Sequence, residues 1–149
     1  MKKKGLSPVI TTVILIALVI AIIAVVFFWF RGMVEEGVTK FGKNIQLVCE
    51  DVSFDASYDS GTLNIVNQGN IPLYTLNIKS SSGGVYTTKE IKDFSGVEWP
   101  TAGLKQGATF SEQIGLSGEV ELIPILIGTS RTGKKTFVCG GEYGKKISI

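Results

Sequence analysis

The chain has 149 residues, which is enough for one domain of ordinary size with an appendage. Histidine is absent, which excludes Ser-His-Asp and Cys-His catalysis and removes the commonest transition-metal ligand. Residues 1–44 hold six Lys and Arg against two acids, whereas residues 45–149 hold nine against eleven and show no basic stripe with interleaved aromatics, so nucleic-acid binding is not expected.

An uncharged apolar run extends from Val9 to Phe30, a length of 22 residues. At about 1.5 Å per residue, a helix of this length spans roughly 33 Å and matches a hydrocarbon core about 30 Å thick. The run is too long for the apolar part of a cleavable secretory signal, which has about 7–15 residues. Ser7 is expected to cap this helix, and Pro8 suits its first turn.

The residues on either side of the run predict its orientation. Three lysines at positions 2–4 precede it and are expected to stay in the cytoplasm, which places the C-terminus outside. Four aromatic residues at positions 27–30 suit the membrane interface, and Arg31 ends the span. Because Val34, Val38 and Phe41 recur at helical spacing, the helix is expected to continue to Phe41, with Gly42 as its stop.

The N-terminal sequence KKKGLSPVI at residues 2–10, followed by the apolar run, resembles the class III signal sequence of archaeal type IV pilins. In that family a prepilin peptidase removes a short basic leader that ends in Gly or Ala, and the hydrophobic helix stays on the mature subunit. The resemblance implies a leader over residues 1–5, cut between Gly5 and Leu6, and an N-terminal helical segment over residues 6–44. Bacterial pilins carry Glu at the fifth mature position, where this chain has Ile10, in agreement with the archaeal pattern.

The same resemblance implies how the subunit assembles. Family helices pack together as the core of a filament, with the C-terminal domains outside. The chain is therefore expected to insert in the cytoplasmic membrane, and to be built by assembly machinery there into an extracellular homopolymer used for adhesion. The residues expected in the filament core are Ile10, Ile14, Leu18, Ile22, Val25 and Phe28.

From Ile45 onward the apolar residues alternate with polar ones, and Gly-rich turns separate the runs. About seven short strands predict an antiparallel β-sandwich or barrel-like domain over residues 45–149, so the fold class is α+β. Pro124 interrupts one run and predicts an edge strand or a bulge there. The expected strands include Ile45–Cys49, Leu63–Ile65, Tyr74–Ile78, Ala108–Ile114, Val120–Ile127 and Phe137–Cys139, with a last one near Ile147–Ile149.

Two cysteines, Cys49 and Cys139, lie in this extracellular segment. An even count in an exported chain predicts one disulfide, which would join the first strand to a late one; two buried free thiols are the alternative. Without histidine, two cysteines cannot complete the usual zinc site. The sequence also lacks a phosphate-binding loop and paired catalytic carboxylates, so no enzyme activity, cofactor or metal site is predicted.

Two other functions stay open beside the filament subunit. One is a monomeric, membrane-anchored β domain that binds a ligand, and the other is a minor pilin or pseudopilin of a secretion or uptake machine. Trp99 also has two interpretations, because it can pack in the core or contact a neighbouring subunit.

Overall fold

A computed structural model describes residues 5, 7–33, 39–40 and 42–149 of the chain. The chain divides into two compact units, Met1–Glu36 and Gly37–Ile149. Sequence analysis placed the boundary between residues 44 and 45. The second unit begins earlier because the first strand of the β domain already starts at Thr39.

The first unit contains one long helix, α1, which runs from Pro8 to Met33. Pro8 occupies the first helical position, as predicted, where its missing N–H costs nothing. The hydroxyls of Thr11 and Thr12 donate to the carbonyls of Ser7 and Val9, so the only two polar side chains of the apolar run are satisfied within the helix. The prediction that this helix reaches Phe41 is wrong, because Thr39–Lys40 is a β-strand; residues 34–38 and 41 lie outside the described residues.

The described residues of the second unit form a short α-helix, ten strands, and two 3-10 helices at Ile91–Asp93 and Gly141–Tyr143. Helix α2 covers Ile45–Cys49. The strands, in chain order, are β1 Thr39–Lys40, β2 Lys43–Asn44, β3 Phe54–Asp59, β4 Thr62–Asn67, β5 Thr75–Ser82, β6 Val85–Glu90, β7 Thr109–Gln113, β8 Glu119–Ser130, β9 Gly133–Val138 and β10 Lys145–Ser148. All pairings are antiparallel, and the sheets curl into a half-barrel, which confirms the predicted α+β class.

The predicted strand at Ile45–Cys49 is a helix instead. The Asn44 side chain caps it by accepting a hydrogen bond from the Gln46 N–H at 3.0 Å. Ile45, Val48 and Cys49 are buried and Leu47 is exposed, which is the pattern of one helical face. Gly42 does not end a helix, since it lies in the tight turn between β1 and β2 with φ of 74°.

Two antiparallel sheets enclose the core. In the larger sheet, β5 and β1 pair along one side of β8, and β9 and β10 pair along the other. Strand β6 pairs with β5 and β2 with β1, and the smaller sheet has the order β3-β4-β7. Alternate residues of the facing strands point inward and exclude water, which is the pattern that the sequence alternation predicted. The buried side chains of these strands include Leu63, Ile65, Leu76, Ile78, Phe110, Val120, Leu122 and Leu126.

Strand β8 lies at the centre of the larger sheet, so the prediction that Pro124 marks an edge or a bulge is wrong. The Pro124 carbonyl accepts a hydrogen bond from the Cys139 N–H at 2.9 Å. Because the nitrogen and the carbonyl of a strand residue point to the same side, the missing N–H faces that side too. There β9 has ended at Val138 and β10 begins only at Lys145, so the proline lies at the break between two neighbouring strands.

One surface ion pair links the two sheets. The Lys145 ammonium on β10 lies 2.9 Å from an Asp55 carboxylate oxygen on β3. The hydrogen bond from Lys145, together with one from the Ala56 N–H, lowers the pKa of the exposed Asp55 carboxyl. Exposed pairs of this kind contribute little to stability, so the buried core holds the sheets together.

The predicted disulfide is confirmed. Cys49 and Cys139 are bonded across 90 residues of chain, with their Cα atoms 5.8 Å apart. Cys49 lies on α2 and Cys139 directly follows β9, so the bond fastens the helix to the edge of the larger sheet.

Removing this disulfide is expected to destabilise the β domain. Closing a loop of this length is worth about 4–5 kcal/mol in the chain-entropy model, so replacing both cysteines by serine should lower the free energy of unfolding by about 2–5 kcal/mol. Urea unfolding of the segment from Gly37 to Ile149 measures this, and a reductant should weaken the parent segment but not the double variant. Equal stability of the two proteins would contradict the prediction.

A buried amide joins three segments of the second unit. The Asn67 side chain is fully buried. Its Nδ2 donates to the carbonyls of Ile71 and Leu104, both at 2.9 Å, and its Oδ1 accepts from the Gly69 N–H at 3.1 Å. The sequence predicted only a turn at this position. In the structure the amide connects the loop that follows β4 to the segment around Leu104.

Asn67→Ala should lower the free energy of unfolding by about 1–3 kcal/mol, because the Ile71 carbonyl loses the donor and the Leu104 carbonyl keeps only the Leu73 N–H at 3.0 Å. Asn64→Ala is the matched control on the same strand, since the Asn64 amide bonds the Ser111 hydroxyl at an exposed position. That control should change stability by less than about 1 kcal/mol. Urea titration of both variants measures these free energies. Equal losses of stability would show that the buried bonds of Asn67 contribute no more than the exposed bond of Asn64.

Candidate assembly surface

Helix α1 is apolar on every side. From Val9 to Phe30 its large apolar side chains are between 43% and 72% exposed, the lowest value belonging to Val19 and the highest to Phe28. A helix that is hydrophobic all round requires a core or a membrane on each of its sides. The segment Pro8–Phe30 is long and apolar enough to cross a membrane.

The six side chains predicted for a filament core lie along one side of this helix. Spacings of three and four residues bring them to the same stripe, and each is at least half exposed. The opposite side is equally apolar, with Ile16, Ile20 and Ile23 between 58% and 62% exposed. The structure therefore offers the predicted stripe, Ile10, Ile14, Leu18, Ile22, Val25 and Phe28, without distinguishing it from the rest of the helix.

The C-terminal end of the apolar run is a cluster of aromatic rings. Phe27 and Phe28 meet edge to face with ring centroids 6.3 Å apart, and Trp29 and Phe30 are each 65% exposed. Rings of this kind suit the boundary between hydrocarbon and water, and they also suit a protein interface.

The predicted cleavage site is only partly described. Gly5 is exposed and precedes the helix, whereas Leu6 and residues 1–4 lie outside the described residues. A position before the helix is accessible to a protease, but cleavage itself remains a prediction.

Trp99 packs as part of the β domain. Its indole N–H donates to the Tyr74 carbonyl at 2.7 Å, and its ring lies 5.0 Å from that of Phe110. It is half-buried, so the packing interpretation fits better than an exposed contact residue.

Charged groups of the β domain form local pairs. Lys92 lies 2.7 Å from a Glu90 carboxylate oxygen, and this hydrogen bond raises the pKa of the lysine. Lys40 donates to the Ile127 carbonyl at 2.7 Å, and partial burial lowers its pKa. Within the described part of the chain, no three His, Cys, Asp or Glu side chains come close enough to hold a metal ion.

Comparison with models of protein families, with curated protein sequences and with solved structures gave no match.

Proposed function

We propose that this chain is the structural subunit of an extracellular, type IV pilus-like filament that polymerises through α1. The observation that carries the proposal is the helix surface, which is apolar on all sides over Pro8–Phe30. The leader-like sequence before it supports the same function. The β domain, with its own core and disulfide, would face the environment and make the contacts used in adhesion.

The apolar surface of α1 suits a polymer core as well as a bilayer, and the leader-like sequence before it favours the polymer over a plain anchor. Burying a Val, Leu, Ile or Phe side chain is worth about 1.5–3 kcal/mol, and the run from Val9 to Phe30 holds sixteen of them. Outside the bilayer this surface needs several neighbours, because a single partner covers only one side. Parallel copies of the same helix supply those neighbours, and no charge between Val9 and Phe30 would have to be buried.

The filament should form from subunits that begin at Leu6. Mass spectrometry of purified filaments should find Leu6 at the N-terminus, because the proposed peptidase removes the five residues before it. Gly5→Trp should leave the uncut precursor in the membrane, whereas Gly5→Ala, which keeps a small residue, should be cut normally. Filaments whose subunits start at Met1 would refute the processing step.

A charge in the middle of the helix should abolish assembly while leaving the subunit in the membrane. The sixteen side chains favour insertion by roughly 5–10 kcal/mol, against a cost of about 2.5–3.5 kcal/mol for one central Asp. Ile20→Asp should therefore insert, but every copy in a filament would bury an unpaired carboxylate at a cost of several kcal/mol.

Electron microscopy and pelleting of surface filaments measure this prediction, with Ile20→Leu as the control that keeps the apolar surface. The variant should yield membrane-bound subunits without filaments, and the control should yield both. Normal filaments from Ile20→Asp would show that α1 does not form the core. If the unaltered chain stays monomeric in the membrane, the anchored binding domain becomes the better account.

A further inference from the structure

A groove on the β domain lies beside the disulfide and is lined by apolar and polar groups in about equal measure. It has a volume of about 420 Å³ and lies between α2 and the segment that ends β9. Leu47 on α2 is 54% exposed there, and Val138 at the end of β9 is 49% exposed. The half-buried rings of Phe137 and Tyr143 extend the same surface.

Few large apolar side chains of the β domain are exposed, and the groove contains two of them. Among the described residues of the second unit, the large apolar side chains that stand exposed are Leu47, Val85, Tyr86, Val138 and Ile149. Two of the five, Leu47 and Val138, line one groove beside polar and acidic residues, and exposed apolar side chains that share a concave site suit contact with a partner. Helix α2 creates it, because burial of Ile45, Val48 and Cys49 leaves Leu47 on the outer side.

The charge of the groove limits its partner. Two exposed carboxylates, Glu50 and Glu142, lie at its rim, and no Lys or Arg is among the residues that line it. A complementary partner therefore presents apolar or aromatic side chains next to a cation.

The chain itself contains such a partner. Phe27, Phe28, Trp29 and Phe30 are between 58% and 72% exposed at the end of α1, and Arg31 follows them in sequence. Because consecutive residues point about 100° apart around a helix, Phe28 can take its expected place in the core while Phe27, Trp29 and Phe30 meet other neighbours. Helix α2 begins only twelve residues after α1 ends, so the groove belongs to the part of the β domain that follows the helix most closely along the chain.

We propose that this groove binds the aromatic end of α1, residues 27–31, from a neighbouring copy of the chain. The inference rests on the proposed polymerisation and adds a second contact to it. Aromatic rings would fill the space beside Leu47 and Val138, and the positive charge that Arg31 adds to this segment of the sequence complements the acidic rim of Glu50 and Glu142. Aromatic side chains and Arg are the residues most enriched at the centres of protein interfaces.

Charge substitutions in the groove test the proposal on the full chain. Leu47→Asp and Val138→Asp should each lower the ratio of polymerised to membrane-bound subunit by about tenfold or more, since an added carboxylate would be buried against the acidic rim. The matched controls are Val85→Asp and Tyr86→Asp, at exposed apolar positions outside the groove, which should change the ratio less than about twofold.

Two checks separate loss of the contact from loss of the fold. Each variant should keep the Cys49–Cys139 disulfide, seen as the absence of alkylation before reduction, and should reach the membrane in normal amount. If both groove variants fold and polymerise as well as the controls, the proposed contact is wrong while the helix-core filament stands. If the unaltered chain does not polymerise, both the proposed function and the groove contact are refuted.

Crosslinking identifies the occupant directly. A photoreactive phenylalanine analogue at position 47 is placed in filaments assembled from a one-to-one mixture of isotopically heavy and ordinary subunits. Crosslinks to residues 27–31 in mixed heavy–light pairs are expected. Crosslinks to that segment only within one isotopic species, to lipid, or only to a neighbouring β domain would overturn the assignment.

Discussion

The apolar surface of α1 is the constraint on which the proposed function of this chain depends. Twenty-two residues without a charge form a helix whose sides are all apolar, and the largest side chains stand about half exposed or more. Water cannot surround such a helix, so it needs either lipid or other protein on every side. A single helix of this kind is stable in a bilayer, where its backbone is satisfied internally and its side chains face hydrocarbon. The same property makes the helix suitable for a core of identical helices. It can pass from the bilayer to such a core without burying a charged side chain.

The β domain has a core of its own. This core lies between its two sheets, and the strands that the structure describes pair with one another. Strand β8 organises the larger sheet, since β5 and β1 lie along one side and β9 and β10 along the other. The disulfide secures the opposite ends of the domain sequence, because Cys49 comes before the first long strand and Cys139 directly before the last turn. A domain of this kind can face an extracellular environment while the helix takes part in a different packing arrangement.

Periodicity in the sequence predicted part of the fold. The long uncharged apolar run predicted α1, and alternating residues predicted β4, β5, β7 and β8, whereas β3 and β6 were not predicted. Sequence analysis was wrong at Ile45–Cys49 because in five residues a strand and a helix bury almost the same positions. The Asn44 side chain caps the helix by accepting from the Gln46 N–H, and the disulfide to Cys139 fastens its last residue. The prediction for Pro124 was wrong for a different reason. The break between β9 and β10 depends on how the sheet is assembled, and the sequence around Pro124 does not indicate it. The six predicted core residues of α1 share one stripe, but a surface that is apolar all round cannot reveal which side meets which neighbour. The groove beside the disulfide could not be predicted, because it depends on α2.

Whether copies of α1 form the core of a filament can be decided by helical reconstruction of purified surface filaments, using electron cryo-microscopy. We expect a core of parallel helices that begin at Leu6, with neighbouring axes about 8–10 Å apart and β domains on the outside. A filament held together by β domains alone, with the apolar helices absent from its core, would refute the proposed assembly.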